Sequence, residues 1–367
     1  MKRRITRRKF LSRTALATAT FPFASSLLNA FSHDSRAADN TDDQTLMLWF
    51  DKPASEWTEA LPVGNGRLGA MIFGGTAGEQ LQLNEDTLYA GAPYDPNNPE
   101  ALKALPEARR LIFDRKYKEA HDLVGAKMMA QPIKQMPYEP VGDLNLVFVG
   151  HENVTDYRRQ LDLNTAIAAV SYRVEGVTFT REVFASPVDQ VIVVSFGADR
   201  PGQLNFSASL STPQKARIST VGTDTLLMVG ENGEAFSIKG GLTFAARVLV
   251  LPSGGSSASE KERIVVRNAD SAVLLIVAAT SYKNYRDTSG KPQAITEEHL
   301  RTARRKTVES LRAEHIREHQ RLFHRVRFPA LSAVIDTKSG DSAVTYVTPS
   351  LVVMHINGIA AGLRNTW

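Results

Sequence analysis

Between residues 142 and 280 the chain breaks into short runs rich in Val, Ile, Phe and Thr, each closed by Gly, Asn, Asp or Pro. This rhythm constrains the fold more than any other feature. β-branched and aromatic side chains suit a pleated, packed surface, and turn residues at this spacing indicate an antiparallel sandwich. Residues 166–174, 177–184, 190–196, 204–210, 242–251 and 272–279 read as strands. Thr178-Phe-Thr-Arg-Glu-Val-Phe184 alternates apolar and polar residues, so one face packs and the other is wet. Residues 68–73 and 80–83 are the clearest strands before this region. Ala101–Phe113 and residues 117–129 instead carry apolar positions at three- and four-residue spacing, which predicts two short helices in a β context. Residues 254–259 read as a flexible surface loop.

After Pro292 the texture changes. Residues 295–326 hold many Arg, Glu and His around sparse apolar positions such as Leu300, Leu311 and Ile316. They predict a long, mostly solvated helix or helix pair leading towards another domain. The tail from Phe328 has no convincing periodicity. The expected organisation is therefore a β-sandwich domain over 45–290 (with helices at about 101–129), a helical linker over 291–327, and an unpatterned tail over 328–367.

The N-terminus is set apart. Residues 1–36 carry eight Lys or Arg against one acid, Asp34, so this segment holds +7 of a net +5 and leaves −2 for the remainder. Without it the chain has no basic surplus, and nucleic acid is not an expected partner. Thr6-Arg7-Arg8-Lys9-Phe10-Leu11, an apolar run over 14–31 and Ala37-Ala38 read in order as a twin-arginine export signal over 1–38. A merely basic tail is the alternative. The run is too short and interrupted to anchor the chain in a membrane, so a periplasmic or secreted location is expected. The absence of cysteine excludes disulfides, thiol nucleophiles and thiolate metal sites.

Several motifs carry competing meanings. Gly64-Asn65-Gly66-Arg67-Leu68-Gly69 satisfies G-x-G-x-x-G, but a strand and not a helix follows it, so glycines for a tight β-turn explain it better than a dinucleotide. His315-Ile-Arg-Glu-His319 matches H-x-x-E-H, which on a helix could ligate zinc. The surrounding arginines oppose a cation, and a solvated linker face is the preferred reading; no metal and no cofactor are expected. Asn84-Glu85-Asp86-Thr87 holds an acidic pair whose side chains would point to opposite faces of an extended segment and so could not act on one bond. Trp49, Trp57, Tyr89, Tyr94, Tyr138 and Tyr157 are candidates for a sugar platform or for ordinary core and cross-strand packing.

Four longer blocks are more specific. They are Trp57-Thr-Glu-Ala-Leu-Pro-Val-Gly-Asn-Gly-Arg-Leu-Gly-Ala-Met71, Leu83-Asn-Glu-Asp-Thr-Leu-Tyr-Ala-Gly91, Tyr138-Glu-Pro-Val-Gly-Asp-Leu144 and Tyr157-Arg-Arg-Gln-Leu-Asp-Leu-Asn-Thr-Ala166. In this order they resemble the N-terminal part of family 95 glycoside hydrolases, the α-L-fucosidases, whose second block usually has Trp where Tyr89 stands. His319 to Val326 is similar to that family's helical linker.

The resemblance implies an N-terminal super-sandwich, a helical linker and an (α/α)6 catalytic barrel against which the sandwich packs. It implies inverting hydrolysis of terminal α-L-fucosyl residues on an oligosaccharide or a plant or host glycan. It covers about residues 46–326, so the expectation is a mainly β chain in which the barrel is absent, none of the catalytic residues is present, and activity alone is missing. The tail is then out-of-frame translation or a genuine end. Glu85 and Tyr138 are the candidate substrate contacts. A freestanding carbohydrate-binding sandwich is the alternative.

Overall fold

A computed structural model describes residues 46–325; the expected export signal and the tail from Phe328 lie outside them. The described residues form sixteen strands in two antiparallel sheets. The first five are β1 (Met47–Phe50), β2 (Leu61–Gly64), β3 (Leu68–Ile72), β4 (Gly78–Glu85) and β5 (Gly142–Val147). A meander follows, with β6 (Thr155–Asp162), β7 (Ile167–Val174), β8 (Val177–Ser186) and β9 (Val191–Ala198). Next come β10 (Leu204–Ser211), β11 (Lys215–Val221), β12 (Thr225–Glu231) and β13 (Thr243–Ser253). The last three are β14 (Ser256–Glu260), β15 (Arg263–Ala269) and β16 (Ser271–Thr280). One sheet has nine strands in the order β1-β6-β7-β8-β9-β16-β13-β12-β11, the other seven in the order β14-β15-β10-β5-β4-β3-β2. The fold is the mainly β, large antiparallel sandwich that the residue pattern implies.

Leu81, Leu144 and Leu146 of the seven-stranded sheet share one buried core with Val183, Val194 and Ile276 of the nine-stranded sheet. A second core lies on the outer face of the larger sheet. There Phe184, Val193, Leu275 and Val277 meet residues of two helices, α3 (Pro292–Ala303) and α4 (Val308–Phe323). Neighbours such as Val193 and Val194 therefore point to opposite faces and are both buried. This double burial explains why β9 and β16 read as continuous apolar runs instead of alternating ones. β8 does alternate, but its expected wet face is covered too, with Thr180 and Glu182 buried. The predicted insertion is a helical hairpin between β4 and β5, comprising α1 (Ala101–Phe113) and α2 (Tyr117–Lys127).

Two expectations are corrected. The exit helices are not mostly solvated: Leu300, Ala303, Leu311, His315 and His319 form a buried stripe against the sheet. His315 sits between the carbonyls of Ala185 (3.0 Å) and Thr165 (2.9 Å), and His319 bonds the Leu163 carbonyl at 2.8 Å. Burial, helped by the neighbouring His319, lowers the His315 pKa to about 4. The two histidines thus dock the helix, and the arginines occupy its other faces. The second correction concerns residues 254–259, which are not a free loop. Gly254 and Gly255 take positive φ (68° and 60°) and carry the chain from one sheet to the other, after which β14 pairs with β15. A Cβ on Gly255 would stand 2.2 Å from the Arg267 carbonyl oxygen, so only glycine fits there.

One ion pair crosses the sandwich interior. Arg181 of β8 contacts Glu79 of β4, and their side chains are 2% and 0% exposed. Glu79 also accepts the backbone N–H groups of Phe73 and Gly74. A pair this dry persists only because its geometry and extra hydrogen bonds offset the loss of hydration.

Candidate functional site

The first three sequence blocks, separated by tens of residues, meet at one end of the sandwich. Asn65, between β2 and β3, accepts the N–H groups of Arg67 (3.0 Å) and Leu68 (2.7 Å) and donates to the Ser186 carbonyl at 3.0 Å. Gly66 has φ +90° with open space where a Cβ would stand, so backbone conformation alone selects glycine. The segment is a hairpin turn between strands, with no helix N-terminus to receive a pyrophosphate. The turn aims Arg67 inward. Its guanidinium donates to Gln190 Oε1 at 2.5 Å, to the Ala278 carbonyl at 2.7 Å and to Glu85 Oε1 at 3.2 Å.

Glu85 ends β4 with its side chain inside, and the residue is 3% exposed. Its second oxygen accepts from Thr87 N at 2.8 Å and Thr87 Oγ1 at 2.7 Å. Thr87 Oγ1 in turn meets Thr280 Oγ1 at the end of β16. Tyr138 donates its hydroxyl to the Glu85 carbonyl at 3.0 Å and stands edge-on to Tyr89, with ring centroids 5.1 Å apart. Asn232 fixes the far side of this loop by donating to the carbonyls of Tyr89 (2.7 Å) and Gly91 (2.6 Å).

Asp86 opens the turn that follows β4 and, unlike Glu85, is an exposed residue. Crowding at the sandwich end strips hydration from the Asp86 carboxyl, and the adjacent Glu85 charge adds to the effect; together they raise its pKa to about 6 against the pull of Arg67. Burial, and secondarily Asp86, raises the Tyr89 hydroxyl, while burial and then Glu85 raise that of Tyr138. From α3, His299 lies in the field of Arg67; burial first and that cation second lower its pKa. Arg67 Nη2 and His299 Nδ1 are both buried without a hydrogen-bond partner among the described residues.

The arrangement has an inner frame and an outer pair. Arg67, Glu85, Thr87 and Tyr138 hold one another, whereas Asp86, an exposed residue whose carboxyl is partly desolvated, and Tyr89, 37% exposed, reach solvent. A carboxyl accepting hydroxyl hydrogens beside a ring face is suited to a sugar. Of the two residues predicted as substrate contacts, Glu85 is internal and Tyr138 half-buried, and the structure brings both into this frame. Arg67 and His299 were not singled out by sequence. Arg67 stands inside the turn motif, but His299 has no local signal, because only the docking of α3 brings it there. The other aromatic candidates do not join the group as a set: Trp49 lies under the Arg158 guanidinium on β1, and the Tyr157 hydroxyl donates to the Gly74 carbonyl.

Residues 48–285 match the family described as Glycosyl hydrolase family 65, N-terminal domain. The chain belongs to this family. It is 36% identical over 307 residues to "Alpha-L-fucosidase 2" of Arabidopsis thaliana, an alignment covering 77% of this chain and 36% of that protein. "Probable alpha-fucosidase A" of Aspergillus niger is 27% identical, covering 76% of this chain and 37% of the relative. Its namesake from Aspergillus oryzae is also 27% identical, with 75% and 40% covered. The chain thus spans between a third and two fifths of the length of these relatives. The matching family is numbered 65, whereas the sequence blocks resemble family 95; the fucosidase relatives support the resemblance, and the N-terminal, glycosidase-like character is common to both.

Proposed function

We propose that this chain is the N-terminal recognition sandwich and helical exit of an exported, family 95-type glycoside hydrolase. The enzyme acts with inversion on terminal α-L-fucosyl residues of an oligosaccharide or a plant or host glycan. The observation that carries this reading is the convergence of three sequence blocks on one frame that leaves Asp86 and Tyr89 facing solvent. In this reading Glu85 and Tyr138 shape the substrate contact from behind, and Asp86 and Tyr89 meet the sugar. Glu85 is engaged by Arg67 and Thr87 and is not free to activate a water. Bond cleavage therefore falls to carboxylates of an (α/α)6 barrel outside this region, against which the sandwich packs. Residues 1–38 direct the protein through the twin-arginine pathway to the periplasm or beyond.

A second reading, a freestanding carbohydrate-binding module, is favoured by one observation: α3 and α4 cover the sandwich itself, so their apolar stripe needs no further domain. Both readings are tested on the purified chain with a chromogenic α-L-fucoside and with a fucosylated oligosaccharide beside its defucosylated form. The expected result is no turnover and preferential binding of the fucosylated form. Turnover would place the chemistry within this chain, and equal affinity for the two oligosaccharides would remove fucose from the reading. Fusion of residues 1–38 to a reporter exported only when folded checks the route: export lost on replacing Arg7-Arg8 by Lys-Lys supports it, and unchanged export contradicts it.

A further inference from the structure

The helical hairpin α1–α2 stands apart in its packing. Its interior consists of Ala104, Ala108, Leu111 and Ala120, three of them alanines, so the two helices lie close and pack chiefly on each other. Large apolar residues are left on its surface. Phe113 is 82% exposed and Tyr117 64% exposed, at the two ends of the turn that joins the helices. A turn of this kind could have been closed with small polar residues; two open aromatic rings at its ends have no role in holding the hairpin together.

Between the rings lie Asp114, Arg115 and Lys116. Asp114 is neutralised by Arg110, which also pairs with Glu107. Lys118 pairs with Asp122. Arg115 and Lys116 form no salt bridge, nor does Arg109 one turn earlier, and Glu119 is the single unpaired acid of the two helices among the described residues. Arg115 also holds a left-handed conformation, φ +61°, in which glycine or asparagine would be less strained. The tip therefore presents two exposed rings with Arg115 and Lys116 between them; Lys116 lies in the field of Glu107, and neither cation is tied up in a salt bridge.

We propose that this tip binds a carboxylated polysaccharide, a polymer of uronic acid rings. Each residue of such a polymer offers an apolar ring face to an aromatic and a carboxylate to a guanidinium or ammonium. The choice of a polysaccharide among polyanions rests on the glycoside hydrolase reading above. An anionic membrane suits the tip less well, because Arg115 and Lys116 lie between the aromatic residues and would be carried into the hydrocarbon with them. The site shares no residue with the Asp86 frame, so it would tether the enzyme to a charged matrix and leave the fucosyl contact free.

The test is affinity electrophoresis of the full chain in gels containing polygalacturonate, with a neutral glucan and anionic phospholipid vesicles as comparisons. Two double variants are used, Phe113→Ala with Tyr117→Ala and Arg115→Asn with Lys116→Gln; asparagine tolerates the positive φ. Retardation by polygalacturonate alone, weakened about tenfold or more in both variants with melting temperature unchanged, is expected. Absence of retardation overturns the proposal, as does retention in the aromatic variant or stronger binding to vesicles. Binding of the fucosylated oligosaccharide is followed in the same samples: its survival in both variants keeps the Asp86 reading standing whatever the polygalacturonate gel gives.

Discussion

Two arginine–glutamate pairs lie at different depths of the sandwich, one between the sheets and one within the seven-stranded sheet, and their surroundings assign them different work. Arg181–Glu79 lies in the sandwich interior, sealed by Phe148 and Phe196, with side-chain exposures of 2% and 0%. Arg67–Glu85 lies at the sandwich end, with exposures of 24% and 4%, and borders Asp86, an exposed residue whose partly desolvated carboxyl has its pKa raised to about 6. The same chemistry buried on all sides fixes how the sheets face each other. Opened on one side, it sets the charge and position of a neighbour that solvent can reach.

This contrast can be broken by experiment. Glu79→Gln leaves the Arg181 charge uncompensated in a dry interior, and a loss of about 3–5 kcal/mol in unfolding free energy is expected by denaturant titration. Glu85→Gln removes a charge beside a partner that water can reach, and about 1–2 kcal/mol is expected in the same titration. Equal losses would erase the distinction between the pairs. The end pair then has an effect on Asp86 that the interior pair lacks. Removing the Glu85 charge lets the Asp86 pKa fall below about 6, whereas Arg67→Met lets it rise. Carboxyl carbon NMR titration reads both directions, and Glu79→Gln leaves the Asp86 signal where it was.

The smallest effect is on stability against pH. Asp86 binds its proton more tightly folded than unfolded, since its pKa rises from 3.8 to about 6. Between these values the folded state holds more protons, so this group's contribution favours folding at low pH and is lost as pH rises towards 6. Asp86→Asn therefore raises the melting temperature slightly at pH 7 and not at pH 3.5. An equal gain at both values would mean that the side chain acts by packing and not by charge.

Most of the sandwich was legible because turn residues punctuate it so regularly. The strands at 166–174 and 177–184 and the helix Ala101–Phe113 fall within a residue or two of their observed limits. Polar strands were harder to read. β11 carries Lys215, Arg217, Ser219 and Thr220 at a sheet edge, and β14 is Ser-rich, so neither has an apolar pattern to recognise. The helix pair was legible as helix but not as packed. Its buried face includes His315 and His319, whose backbone acceptors come from Ala185, Thr165 and Leu163, more than a hundred residues away.

The site follows the same rule. Glu85, Asp86 and Tyr138 stood out in contiguous blocks, but which of the two acids faces solvent depends on where β4 ends and on Arg67 reaching it from a neighbouring turn. His299 arrives only through tertiary packing of α3.

The central claim is that the Arg67–Glu85 frame exists to present Asp86 to a sugar. Calorimetric titration of a fucosylated oligosaccharide into the chain and into Asp86→Ala, at pH 7, tests it most directly. The account predicts saturable binding by the parent chain and at least about tenfold weaker binding by the variant, with the melting temperature not lowered. Unchanged affinity in a folded Asp86→Ala variant would contradict it.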